Sequence, residues 1–231
     1  MKIFIAGDSF CSNTTEKSWT KKLEKNIKKS SVKVIGEQGS SLFFTYQNLL
    51  KNLDCDYYII LVTNPGRLFF EKSPHFSNPL SAYNKLKLLN PKENVDLENK
   101  CKATIDYYKW LKSDMFDTFV HQKILEEIKK LLEHKKKIIF PCFKSSGINA
   151  PFTMFEILEK GFKPFSTKYK YYDEVYRSYQ ETENIINHHS EENQTILADY
   201  FSDIILKEKS DITIEKFKEF NKPFEFYYKK I

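Results

Sequence analysis

A serine stands at position 9 inside Gly7-Asp8-Ser9-Phe10, and two histidines stand at 188 and 189 inside Asn187-His188-His189-Ser190-Glu191-Glu192-Asn193. Between them in the chain come Gly36-Glu37-Gln38-Gly39-Ser40-Ser41 and Thr63-Asn64-Pro65-Gly66-Arg67. A serine hydroxyl is a weak nucleophile near neutral pH and needs a base to take its proton during attack. An imidazole with an ordinary pKa near 6.5 suits that task. Attack on an acyl carbon creates an oxyanion, and each well-placed N–H donor lowers that barrier by roughly 3–4 kcal/mol. The Ser9 N–H, the Gly39 N–H and the Asn64 side-chain amide are three candidate donors, and a glycine at 39 lets the backbone approach without a Cβ in the way. The chemistry of such a set is acyl transfer through a serine.

These residues need a scaffold that brings four distant segments to one place. Residues 2–6 (KIFIA) read as a short buried strand that stops at Gly7. Residues 17–29 place Trp19, Leu23 and Ile27 at spacing four, one apolar helical face. Residues 32–35 (VKVI) form a second strand and 42–53 a second helix. Residues 57–62 (YYIILV) are a continuous apolar run, the pattern of a strand buried on both faces. Strand, helix, strand, helix, strand argues for an α/β fold with a central parallel sheet. Ligands then bind beyond the carboxyl ends of the strands, where the first three segments lie. Further on, 66–95 reads as a long loop with three prolines, 97–134 as two helices broken near Ser113–Asp114, and 137–140 as a strand ended by Pro141. A short helix near 151–160, a Tyr- and Lys-rich stretch at 165–180, an amphipathic helix over 191–207 and a helix near 212–220 complete the reading. One domain over 1–210, with an insertion at about 68–134, and a C-terminal extension over 211–231 packed on it account for the length.

The four segments resemble, in order, the four sequence blocks of the SGNH/GDSL hydrolase family. Gly7-Asp8-Ser9 is similar to the first block, whose serine is the nucleophile; Gly39 and Asn64 match the oxyanion-binding glycine and asparagine of the second and third. His188, followed by Ser190 and Glu192, resembles the last block, where the histidine is the general base. The resemblance implies a flavodoxin-like three-layer sandwich and a serine esterase with no cofactor. It covers residues 3–12, 34–42, 57–67 and 187–206. Two positions depart from the pattern. The family usually has an aspartate three residues before the histidine, where this chain has Ile185, so the orienting acid is Glu183, Glu181 or absent. The third block usually reads Gly-x-Asn-Asp, but here it reads Val62-Thr63-Asn64-Pro65.

Blander roles compete for several of these residues. Asn64-Pro65-Gly66 is a turn sequence, and Ser190 is a natural N-cap for the helix that follows. His189 is the alternative base. His75, His121 and His134 lack ligand spacing and read as surface residues, so no metal site is expected. Arg67 is suited to a substrate carboxylate or phosphate, with a surface ion pair the favoured reading. Cys11 reads as a small buried side chain, and Tyr169, Tyr171, Tyr172, Tyr176 and Tyr179 as a sugar-stacking surface or ordinary packing.

Composition narrows the classes further. Aromatic residues make up 16% of the chain, ample for a packed core. The net charge of +6 comes from dispersed lysines such as Lys21, Lys22, Lys25, Lys28 and Lys29, a solvated surface rather than a nucleic-acid groove. No signal peptide or membrane span is expected, and Cys11, Cys55, Cys101 and Cys142 lack CxxC spacing, which favours reduced thiols in a cytoplasmic protein. The expected activity is hydrolysis of an acyl or acetyl ester on a carbohydrate or small molecule, with an O-acetylated glycan favoured because no apolar docking segment stands out. An O-acyltransferase and a non-catalytic SGNH-like binding protein are the alternatives. Oligomeric state is open.

Overall fold

The computed structural model describes residues 1–12, 14–69, 82–83, 85–86, 95–161 and 187–219. Four parallel strands, β1 (Lys2–Gly7), β2 (Ser31–Gly36), β3 (Tyr57–Val62) and β4 (Lys136–Pro141), form a sheet in the order β2-β1-β3-β4. The register runs Val34, Ile5, Ile59, Ile138 across the sheet. Because side chains alternate faces along each strand, that row points to one side, while Ala6, Ile60 and Ile139 point to the other. Helices cover both sides. α1 (Trp19–Asn26), α5 (Met154–Gly161) and α6 (Glu191–Lys207) pack on the first; α2 (Leu42–Leu50) and α4 (Asp114–Leu131) pack on the second. This is the three-layer α/β sandwich expected from the sequence, and all six residues of β3 are buried because both faces are covered.

Serine caps fix the starts of four of the described helices. Ser18, Ser41, Ser113 and Ser190 cap α1, α2, α4 and α6, their side chains accepting from the N–H three residues on. α1 docks on α6 through the rings of Trp19 and Phe201, 4.8 Å apart, and through the Trp19 N–H, which donates to Gln194 Oε1 at 2.7 Å. Leu197, Ala198 and Phe201 complete that layer. α1 is shorter than the apolar spacing implies. It stops at Asn26, and Ile27 packs into the core from an extended backbone as the chain turns toward β2.

The insertion contributes α3 (Val95–Asp106), a π-helical turn (Tyr107–Leu111) and α4. No described helix is long and apolar enough to cross a membrane. Apolar residues are nonetheless presented outward here, in contrast to the sequence expectation: Trp110, Leu111, Met115, Phe116 and Phe119 are each more than half exposed. The helix expected near 212–220 is not formed. Only a 3-10 turn, Ile214–Lys216, is present. Phe217 is drawn into the core against Phe152, and the side chain of Asn193 clasps the Lys218 backbone from both sides, giving this segment its hydrogen bonds without a helix. The tyrosine-rich stretch at 165–180, His75, Glu181, Glu183 and most of the expected 66–95 loop lie outside the described residues.

Candidate active site

The order β2-β1-β3-β4 sends the chain from β1 outward in one direction and from β3 in the other, so the loops after β1 and β3 diverge and open a crevice between them. Asp8 and Ser9 stand at the first loop, Asn64 and Arg67 at the second. Gly39 follows β2 with φ +75°, a left-handed conformation that favours glycine. The loops after β1 and β2 are tied together: Ser40 Oγ donates to the Gly7 carbonyl at 3.2 Å, and the Glu37 N–H donates to the same carbonyl at 3.4 Å. Gly36 is required for this approach. A Cβ there would lie 2.8 Å from both the Cys11 carbonyl carbon and the Ser12 nitrogen. Cys11 is fully buried beside it, as expected, and all four cysteines are free thiols.

Asp8 is the electrostatic centre of the site. Its side chain is fully buried. Oδ1 accepts from the Phe10 N–H at 3.2 Å and from Cys142 Sγ at 3.4 Å; Oδ2 accepts from Thr63 Oγ1 and Arg67 Nη1, both at 2.9 Å. The expected surface ion pair of Arg67 is therefore instead a pair with a buried carboxylate, because the guanidinium reaches inward across the crevice. Arg67 Nη1 also donates to the Ser40 carbonyl at 3.2 Å, and its Cζ lies 5.3 Å from the centre of the Phe143 ring. This residue thereby joins the loops after β1, β2 and β3. Burial pushes the thiols of Cys11 and Cys142 up, with the Asp8 charge adding to the effect, so neither is a thiolate nucleophile.

Ser9 is nearly buried, and its carbonyl accepts from both the N–H and the hydroxyl of Ser12. His188 approaches from the turn before α6, where Asn187 and His188 have φ of +49° and +70°, a left-handed backbone uncommon outside glycine. The His188 ring lies 4.9 Å from the ring of Phe10, the residue next to Ser9. Among the described residues no hydrogen bond joins Ser9 Oγ to either histidine. Desolvation pushes the His188 imidazolium down to about 4; Asp8 opposes this and Arg67 adds to it, so His188 lies within the field of both site charges. His189 differs. It is buried behind Phe10, rings 5.4 Å apart, and neither ring nitrogen has a hydrogen-bond partner among the described residues. Burial, with His188 adding to it, lowers its pKa to about 3. His189 faces the core and His188 faces the site charges.

Asn64 is exposed on the rim of a cleft of about 470 Å³, lined also by Arg67, Tyr108, Lys112, Asp117 and Ser145. The insertion thus supplies one wall of this cleft. Tyr108 donates its hydroxyl to the Gly66 carbonyl, and Asp117 approaches Gly66, which has φ +83°. Glu183 lies outside the described residues. His121, expected at the surface, is buried in α4 with Nε2 3.2 Å from the Ser146 carbonyl, and burial lowers its pKa. It belongs to the packing of α4. No cluster of three or more His, Cys, Asp or Glu suited to a metal occurs among the described residues.

No family model and no curated protein sequence matches this chain. Among solved structures it is similar to a protein from Desulfitobacterium hafniense DCB-2, provisionally assigned there to the lipolytic G-D-S-L family. That likeness has 15% identity and a TM-score of 0.40, covering 88% of this chain and 98% of the other. It is also similar to a member of the lipolytic G-D-S-L family from Veillonella parvula DSM 2008, at 11% identity and a TM-score of 0.36, covering 91% of this chain and all of the other.

Proposed function

We propose that this protein is a serine esterase of the SGNH/GDSL type that hydrolyses acyl or acetyl esters of a carbohydrate or small molecule. The observation that carries the reading is the placement of Ser9, Gly39 and Asn64 in the loops that follow three adjacent parallel strands, with the His188 ring 4.9 Å from that of Phe10, the residue next to Ser9. Ser9 Oγ attacks the ester carbon while His188 takes its proton. The oxyanion is held by the Ser9 and Gly39 N–H groups and the Asn64 amide. Collapse expels the alcohol, which leaves with the proton held by His188, and the acyl group remains on Ser9. A water molecule then gives its proton to His188 and its oxygen to the acyl carbon, releasing the acid and restoring Ser9. Glu183, or Glu181, orients the imidazole in place of the aspartate missing at position 185. Four free, buried thiols suit a reducing, cytoplasmic setting.

The test is turnover of p-nitrophenyl acetate together with labelling by a fluorophosphonate. Wild type is expected to do both. Ser9→Ala is expected to lose both, and His188→Ala to lose at least about a thousandfold in kcat. Equal turnover by wild type and Ser9→Ala, with no labelling of Ser9, overturns the proposal. Glu183→Gln and Glu181→Gln assign the orienting acid, and unchanged kcat in both variants indicates a Ser–His dyad.

A further inference from the structure

The guanidinium of Arg67 is held at one corner and on one face. Nη1 spends its two hydrogens on Asp8 Oδ2 and the Ser40 carbonyl, and the plane rests over Phe143. Among the described residues nothing accepts from Nε or Nη2, and the side chain keeps 14% exposure where it lines the cleft with Asn64, Tyr108, Lys112 and Ser145. The Nε–Nη2 edge presents two parallel N–H groups at the spacing of a carboxylate's two oxygens. Its position is set before any ligand arrives, so little conformational entropy is lost on binding.

Asp8 balances the charge of Arg67, but it touches the guanidinium at Nη1 alone and otherwise serves Phe10 N–H, Thr63 Oγ1 and Cys142 Sγ, so the donors of the Nε–Nη2 edge are not used by it. The second cation on the cleft, Lys112, is already engaged by Asp114 and Asp117. Among the described lining residues the cleft therefore offers one unspent forked donor edge, that of Arg67, while Asp114 and Asp117 stand with Lys112. That matches a planar monoanion better than a phosphate dianion.

We propose that the Nε–Nη2 edge of Arg67 is a carboxylate-binding subsite, and that the preferred ester carries a carboxylate close to its acyl bond. The second half of this statement rests on the serine-esterase reading; the first does not.

The experiment compares 4-acetoxybenzoate with its neutral methyl ester, following release of the phenol. Wild type is expected to favour the carboxylate by about tenfold or more in kcat/KM, mainly through KM, and to be inhibited competitively by benzoate but not by benzamide. Arg67→Lys, which keeps the charge but lacks the forked edge, is expected to lose that preference. Circular dichroism and a thermal melt establish that the variant folds. If it does not fold, the two esters on wild type decide alone, and equal kcat/KM for them overturns the subsite. A fall in kcat of Arg67→Lys that is equal on both esters, with the preference intact, places the edge on the oxyanion and also overturns it. Calorimetric titration of Ser9→Ala with benzoate separates the two proposals. Binding of benzoate and not benzamide, with no ester turned over by wild type, keeps the subsite and sinks the esterase. Turnover of the methyl ester with no benzoate binding does the reverse.

Discussion

Lowering the pH should weaken this fold well before its carboxylates titrate, and His189 should account for a definable part of the loss. Both His188 and His189 have folded-state pKa values below the ordinary 6.5, at about 4 and about 3, chiefly because burial penalises the imidazolium. A depressed histidine pKa means that the unfolded chain binds more protons than the native one below pH 6.5. Stability is therefore complete above that pH and falls as the pH drops toward the folded values. Between about pH 7.5 and pH 5 each histidine contributes a loss of roughly 2 kcal/mol, since 1 pH unit below the unfolded pKa corresponds to about 1.4 kcal/mol. Together they remove roughly 4 kcal/mol, a large share of a typical domain's stability. His121, whose pKa is also lowered by burial, adds in the same direction. The discriminating variant is His189→Phe, which keeps an aromatic ring against Phe10 and removes two buried nitrogens that have no partner among the described residues. It should be at least as stable as wild type at pH 7.5, because an unpaired buried polar group is costly. Between pH 7.5 and pH 5 it should lose roughly 2 kcal/mol less than wild type. Urea unfolding at a series of pH values measures both quantities. Wild-type stability that stays level across this window, or an identical pH slope in His189→Phe, would refute the reasoning.

Two further variants test how the scaffold positions the site. Gly36→Ala should destabilise by about 1–3 kcal/mol in a denaturant melt, because its Cβ would press on backbone atoms of Cys11 and Ser12 that cannot rotate away. Ser190→Ala removes the oxygen that accepts from the Asn193 N–H and should cost about 1 kcal/mol. It should also lower kcat with little change in KM, because the same cap ends the left-handed turn that carries His188.

The contribution of the sequence differs from one part of the site to another. A continuous apolar run such as YYIILV is the pattern of a strand covered on both faces, and together with the alternation of strands and helices before it this made β3 and the three-layer class legible in the sequence. The Ser190 cap was equally local, because a hydroxyl three residues before an unpaired N–H is a short-range signal. His188 and His189 could not be separated securely by spacing. Which ring faces the charges and which faces the core depends on two left-handed residues and on how α6 docks against α1 and α5. The inward reach of Arg67 was hidden for the same reason, since Asp8 and Arg67 are 59 residues apart and meet only because β1 and β3 are neighbours. His121 shows the converse, as its burial follows from the packing of α4 and not from its own neighbours in the chain. Short-range chemistry, in residue types, periodicity and caps, is written in the sequence itself. Which distant side chains share one crevice, and what charge they feel there, is decided only when the strands take their order, because burial and Coulomb interactions act through space rather than along the chain.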